Sequence, residues 1–160
     1  MSAIWKAPVE GRVRVADDHV DGDRQADLRV HGGPDKAVYA YAAEDTAWWA
    51  DRLGRTLEPG AFGENLTVEG VDVQQWPIGQ RVRAGGAIFE ITMVCDPCHR
   101  MDELREGLRA ELELTEVCEP CHKMDELRPG LRAEIDGKRG MLARVVRGGD
   151  VRVGDDIQLL

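Results

Sequence analysis

Cysteine, proline and histidine recur in this chain at a spacing suited to metal or sulfur chemistry: Cys95-Asp-Pro-Cys98-His99 and then Cys118-Glu-Pro-Cys121-His122. The two boxes permit three chemistries. Together they form C-x2-C-x19-C-x2-C, within the range of four-thiolate sites, and soft thiolates in a tetrahedral array suit zinc. Singly, each is C-x-x-C-H, the attachment pattern of c-type haem, where two thiols bond the vinyl groups and the histidine binds iron. In the third reading one cysteine per box, Cys98 or Cys121, follows proline at the start of a helix. There the backbone N–H groups and the helix dipole lower a thiol from its reference pKa of about 8.5 and favour a thiolate ligand. Free cysteines also serve as small buried hydrophobes, which remains the plainest use for all four.

The boxes belong to a longer repeat. Residues Glu90 to Leu112 are followed at once by a near copy, Glu113 to Ile135. The zinc spacing is therefore a by-product of duplication and weighs less than an independent pattern would. Two copies do not make a solenoid, which needs three or more units to bury its own core, so one copy is expected to belong to the fold and the other to be an insertion. After each box the apolar residues keep helical spacing (Met101, Leu104, Leu108, Leu112; Met124, Leu127, Leu131, Ile135). Pro129 stands where the first copy has Glu106 and should break the second helix near Arg128. The first copy continues a strand, Ala87 to Val94; the second leads into Gly140 and a strand from Met141 to Arg147. If Cys121 holds the site, Glu113 to Val117 must replace the earlier segment as the strand leading to it.

Two glycine-bearing segments look like site loops: His31-Gly32-Gly33-Pro34-Asp35-Lys36-Ala37-Val38-Tyr39 and Gly60-Ala61-Phe62-Gly63-Glu64-Asn65-Leu66-Thr67. Glycine lets backbone N–H groups approach an anion closely. Turn residues satisfying their own backbone explain the same pattern. Asn65-Leu66-Thr67 also fits a glycosylation sequon, which is set aside for a chain expected in the cytoplasm.

The elements positioning these residues read as mainly β. Eighteen glycines in 160 residues punctuate short alternating or β-branched runs. Strands are expected at Gly11–Ala16, Asp27–His31, Ala37–Tyr41, Asn65–Val68, Gln80–Ala84, Ala87–Val94, Met141–Arg147 and Asp156–Leu160. Hairpin turns are expected at Ala84-Gly85-Gly86-Ala87 and Arg147-Gly148-Gly149-Asp150. Eight short strands fit a closed β-barrel with a few short helices better than an open sheet with a bare edge. One helix stands out, Glu44 to Leu53, with acids in its first turn and Gly54 as a left-handed cap. Its Trp48, Trp49 and Leu53 are read as core packing rather than as a stacking platform. The length, 160 residues, is that of a single domain spanning 1–160. With 30 acidic and 21 basic residues the net charge is −9, which argues against nucleic acid as a partner. No apolar run approaches the ~18 residues of a membrane span, so neither a membrane partner nor an export signal is expected. That also argues against haem attachment, which normally takes place outside the cytoplasm.

Gly22-Asp23-Arg24-Gln25-Ala26-Asp27-Leu28, the segment from His31 to Tyr41, and Gly60 to Thr67 with Ile78-Gly79 resemble MOSC domains, the C-terminal domains of molybdenum cofactor sulfurases. The bacterial N-hydroxylaminopurine resistance branch is the particular likeness. Pro120-Cys121-His122-Lys123-Met124, Gly140 to Val145 and Gly154-Asp155 are similar to small stand-alone MOSC proteins. The resemblance implies a MOSC-like β-barrel that binds molybdenum cofactor (molybdopterin), or carries sulfur, on one cysteine, with relatives that reduce N-hydroxylated bases and amidoximes. The cysteine after proline is the family's ligand and maps onto Cys121, whose copy is closer to the family pattern, or Cys98. A thiolate is a soft, strong donor to molybdenum. Lys36, Arg24 and Arg139 would partner the cofactor's phosphate, and Asn65 and His31 would orient pterin or substrate. The implied function is the catalytic component of a molybdenum-dependent reductase for N-hydroxylated small molecules, supplied by an external electron-donor protein, as a monomer or homodimer. The alternatives are a non-catalytic sulfur or metal carrier and a structural zinc protein using all four thiols. Pyridoxal phosphate would need a lysine Schiff base, for which Lys36 is the candidate.

Overall fold

The computed structural model describes residues 6–23, 32–95 and 140–160. The chain divides into two compact units, one of Met1–Cys95 with Arg139–Leu160 and one of Asp96–Lys138. The second lies outside the described residues.

Eight strands and one α-helix make up the described fold: β1 Arg12–Val15, β2 Val38–Ala42, α1 Ala43–Leu53, β3 Leu66–Val68, β4 Arg81–Ala84, β5 Ala87–Val94, β6 Met141–Arg147, β7 Gly149–Arg152 and β8 Ile157–Leu159. Short 3-10 turns occupy Pro34–Lys36 and Val73–Gln75. Six strands form one sheet in the order β3-β2-β6-β5-β4-β8, and β1 pairs with β7 separately. Every ladder is antiparallel except β2 with β3.

Alternation explains the sheet. In β5 Ala87, Phe89 and Ile91 point inward, joined by Val82 and Ala84 of β4 and Met141 and Ala143 of β6. These, with Val38, Ala40 and Ala42 of β2, form one apolar core. The β4–β5 link is the expected two-residue turn, with Ala84 facing Ala87 and Gly85 at φ 54°. Helix α1 starts one residue before the expected Glu44, and Gly54 closes it in the left-handed conformation. There Gly54 N–H donates to Asp51 O and Arg55 N–H to Ala50 O. Trp49 is 1% exposed and anchors the helix. Trp48 is half-buried, meeting Trp49 edge-on at 4.7 Å with the Arg52 guanidinium over its ring.

The structure corrects two expectations. The barrel is not closed: the sheet is a curled half-barrel ending at β3 and β8, with no ladder between them among the described residues. Both edge strands are three residues long, which limits the unpaired backbone they expose. The second correction concerns Arg147-Gly148-Gly149-Asp150, which is not a hairpin. The chain leaves the main sheet there, and Gly149 pairs with Val15 of β1. Here glycine serves close approach rather than positive φ. A Cβ on Gly149 would fall on the Gly86 backbone, and one on Gly148 would lie 2.6 Å from Val15 O. The expected strand Asp27–His31 and the segment Glu113 to Val117 lie outside the described residues.

Candidate functional site

The loop before β3 folds around a carboxylate. Gly60 (φ 92°) and Gly63 (φ 81°) bend the chain tightly, Ala61 N–H donating to Glu58 O and Gly63 N–H to Gly60 O. The bend aims two backbone N–H groups at Glu64, which is 3% exposed. Its Oε1 accepts from Gly60 N–H at 2.7 Å and from the Thr67 hydroxyl at 3.1 Å, and its Oε2 accepts from Phe62 N–H at 3.1 Å. The anion that the glycine loop holds is thus the chain's own side chain.

Asn65, next along, is a brace. Its Oδ1 accepts from Tyr39 N–H at 3.1 Å, its backbone N–H donates to Tyr39 O at 2.8 Å, and its Nδ2 donates to Asp23 Oδ2 at 2.7 Å. The same Asp23 oxygen meets Lys6 Nζ at 3.0 Å. Burial holds the Lys6 ammonium below its ordinary value of 10.5, against the opposing pull of Asp23 and Glu64. Lys6 N–H also donates to Gly60 O, and a Cβ on Gly60 would land on the Lys6 carbonyl, so glycine is required for this contact.

Aromatic residues join this polar cluster to the end of the β5–β6 ladder. Phe62 stacks on Tyr41 at 4.8 Å, and Tyr41 meets Tyr39 edge-on at 5.9 Å. Gly140 packs against both tyrosine rings with no space for a side chain. The last ladder pair is Val94 with Met141, and beyond it Cys95 N–H donates to Gly140 O at 3.1 Å. Cys95 and Gly140, the described residues on either side of segment 96–139, are therefore hydrogen-bonded neighbours at the end of this ladder. The strand leading to Cys95 is the first repeat's Glu90 to Val94.

Of the expected site residues, the structure describes Lys36 and Asn65. Asn65 lies beside Tyr39 within β2, and Lys36 closes the 3-10 turn two residues before that strand. Arg24, His31, Cys98, Cys121 and Arg139 lie outside the described residues. Lys6, Asp23 and Glu64 are the charged residues that sequence reasoning did not place in the site. The available signal was Glu64 itself, preceded by Gly60 and Gly63 and followed by Asn65. Among the described residues no group of three or more His, Cys, Asp or Glu side chains could hold a metal ion.

A strand-rich unit with glycine loops around β2 also agrees with a family model: that of the MOSC domain matches residues 27–158. The chain belongs to the MOSC domain family. YflK of Bacillus subtilis, an uncharacterized protein, is 40% identical over 100 residues, covering 62% of this chain and 45% of its own. YiiM of Escherichia coli is 34% identical over 104 residues, covering 63% of this chain and 46% of its own. The solved YiiM of Geobacillus stearothermophilus superposes with a TM-score of 0.67 at 27% identity, over 98% of this chain and 64% of that one. The chain spans about half the length of the curated relatives it matches.

A phosphate-bearing cofactor held by sulfur needs a thiolate, a cation and backbone it can approach. The two glycine loops of this MOSC domain differ in that respect. At 60–64 the N–H groups are taken by Glu64 and the space beside Gly60 by Lys6. At 32–36 the backbone fits: a Cβ on Gly33 (φ 85°) would meet nothing within 4 Å, and Lys36 follows.

Proposed function

We propose that this MOSC domain, a single domain with the duplicated segment as an excursion from it, binds molybdenum cofactor through one cysteine thiolate, Cys121 or Cys98. In this reading it is the catalytic component of a reductase for N-hydroxylated compounds and takes electrons from an external donor protein. The observation that carries the proposal is the meeting of Cys95 with Gly140 beside Tyr39 and Tyr41, in a chain of the MOSC family. Cys95 and Gly140, which flank the cysteine segment in the sequence, thus stand beside β2. Lys36 with Arg24 and Arg139 would neutralise the cofactor's phosphate, and His31 would orient pterin or substrate. Asn65 keeps one N–H and one lone pair beyond its bonds to Asp23 and Tyr39, enough for one further contact. When bound, the molybdenum centre would supply electrons and an open position for the oxygen of an N-hydroxyl group.

The test is elemental analysis of the chain purified from a host that makes molybdenum cofactor, alongside Cys98→Ser and Cys121→Ser. Molybdenum near one per chain, lost from one variant only, supports the reading. Zinc near one per chain without molybdenum, with both variants unfolding, replaces it by the four-thiolate structural site. Retention of sulfur without metal would favour a carrier.

A further inference from the structure

We infer that the outward face of β4, β5 and β6 carries a binding site for a phosphate monoester, gripped by Arg83 and Arg147 on either side of Ile88. The sequence holds no basic run, yet strand register gathers arginines that are far apart in the chain. Arg83 faces Ile88, which faces Arg147; one row along, Arg81 faces Glu90, which faces Arg144. Directly opposed residues project from the same face, so four arginines share the side of the sheet opposite the buried Val82, Phe89, Ile91 and Ala143.

The two rows differ in their pairing. Glu90 has both oxygens engaged, Oε2 with Arg81 Nε at 3.2 Å and Oε1 with Arg144 Nη2 at 3.1 Å, and Arg144 also reaches Asp35 at 3.5 Å. In the other row, among the described residues, neither the Arg83 nor the Arg147 side chain has a hydrogen-bond or ion-pair partner, and Arg83 Nε is buried with no acceptor. A buried guanidinium nitrogen without an acceptor is costly, and an anion between the two forks would relieve it.

The Cα atoms of Arg83 and Arg147 stand two strand spacings apart, about 10 Å, a span two long side chains can close from both sides. Two guanidinium forks match the three terminal oxygens and near-double charge of a phosphate monoester, whereas one carboxylate would leave a fork unneutralised. Half-buried Ile88 offers an apolar floor for the carbon attached to that phosphate. Ile88 is also seven residues from Cys95 along β5, roughly 23 Å for an extended strand. The inference rests on residues of β4, β5 and β6 alone and does not depend on the function proposed for the cysteines.

Isothermal titration of the intact chain at low ionic strength, with inorganic phosphate and with phenyl phosphate, tests the inference. Both should bind saturably, and Arg147→Gln and Arg83→Lys should each weaken binding on the order of tenfold. Arg12→Gln, on β1 and paired with Asp150, should leave it unchanged. Tighter binding of phenyl phosphate assigns the site to an organic monoester, and equal binding assigns it to free phosphate. Arg147 is exposed, so its replacement should not disturb folding, and circular dichroism checks this. The inference is overturned by no saturable binding of either probe, by affinity unchanged in both variants, or by acetate binding as tightly as phosphate.

Discussion

Excising Glu90 to Leu112 should leave a protein that still folds, because the second repeat can restore the contacts of the first. In the intact chain, Glu90 bridges Arg81 and Arg144. Ile91 is fully buried, and its backbone bonds Gln80 O and Gly79 N–H. The Thr92 hydroxyl lies 2.6 Å from Asp35 O and 3.0 Å from Leu142 O. Excision joins Phe89 to Glu113 and brings Glu113, Leu114, Thr115, Glu116, Val117 and Cys118 to these six positions. Two changes cost stability: leucine for buried Ile91, under about 1.5 kcal/mol, and glutamate for half-buried Met93, about 1 kcal/mol. The connection between Cys95 or its replacement and Gly140 shortens from 44 to 21 residues, and each halving of a connection returns about 0.6 kcal/mol. The net loss is about 1–2 kcal/mol, a fall in Tm of roughly 3–10 °C for a chain of this size. Calorimetry of the excised chain, with Leu114→Asp in the same background, reads it. A single cooperative transition that Leu114→Asp abolishes is expected. An excised chain without a cooperative transition, or one indifferent to Leu114→Asp, would refute the argument that the repeats share one strand position.

Glu64→Ala should cost about 3–5 kcal/mol in urea denaturation, since Gly60 and Phe62 N–H lose their acceptor in a buried loop; a loss below about 1 kcal/mol would contradict the loop geometry. Gly140→Ala should cost about 3 kcal/mol, because its Cβ would press on the Tyr39 and Tyr41 rings and on Ala40 O, and thermal unfolding measures it. His19 should titrate above its ordinary 6.5, chiefly through its hydrogen bond to Asp18 at 2.7 Å, and NMR of Asp18→Asn should show the midpoint falling back. The folded value is the raised one, so whatever stability the pair adds is complete below about 6.5 and is lost as pH climbs through the folded value.

Strands β5 and β6 were legible to the residue because their inward positions alternate without interruption, Ala87, Phe89 and Ile91 against Met141, Ala143 and Val145. Strand β7 was not: Gly149 to Arg152 is short and half-exposed, and its partner β1 lies at the far end of the chain, a pairing no local pattern announces. The same limit hid the site. Asn65 stood out by its motif, but its work is set by Asp23 and Lys6, which the sequence places 42 residues away or more. Barrel closure was over-read for a related reason. Eight strands can be counted locally, whereas the register that would join β3 to β8 cannot.

The two glycine loops show how one sequence signal serves opposite ends. Glycine at 60 and 63 brings N–H groups together, and the chain fills the resulting anion niche with Glu64, whose carboxylate sits 2.7 Å from Gly60 N. An external phosphate entering there would have to displace a buried carboxylate and leave it uncompensated, a penalty of several kcal/mol that a partly screened ligand contact would not recover. That loop is therefore a scaffold: it fixes Phe62 on Tyr41 and Asn65 on Tyr39, and so sets the wall beside Gly140. Gly33 has the opposite surroundings, a positive φ with open space where a side chain would be, directly before the turn that carries Lys36. A ligand can use glycine's missing side chain only where the protein has left the space empty. Between the two loops, Glu64 closes 60–64 to an external anion, whereas at Gly33 the position a side chain would take holds no atom within 4 Å.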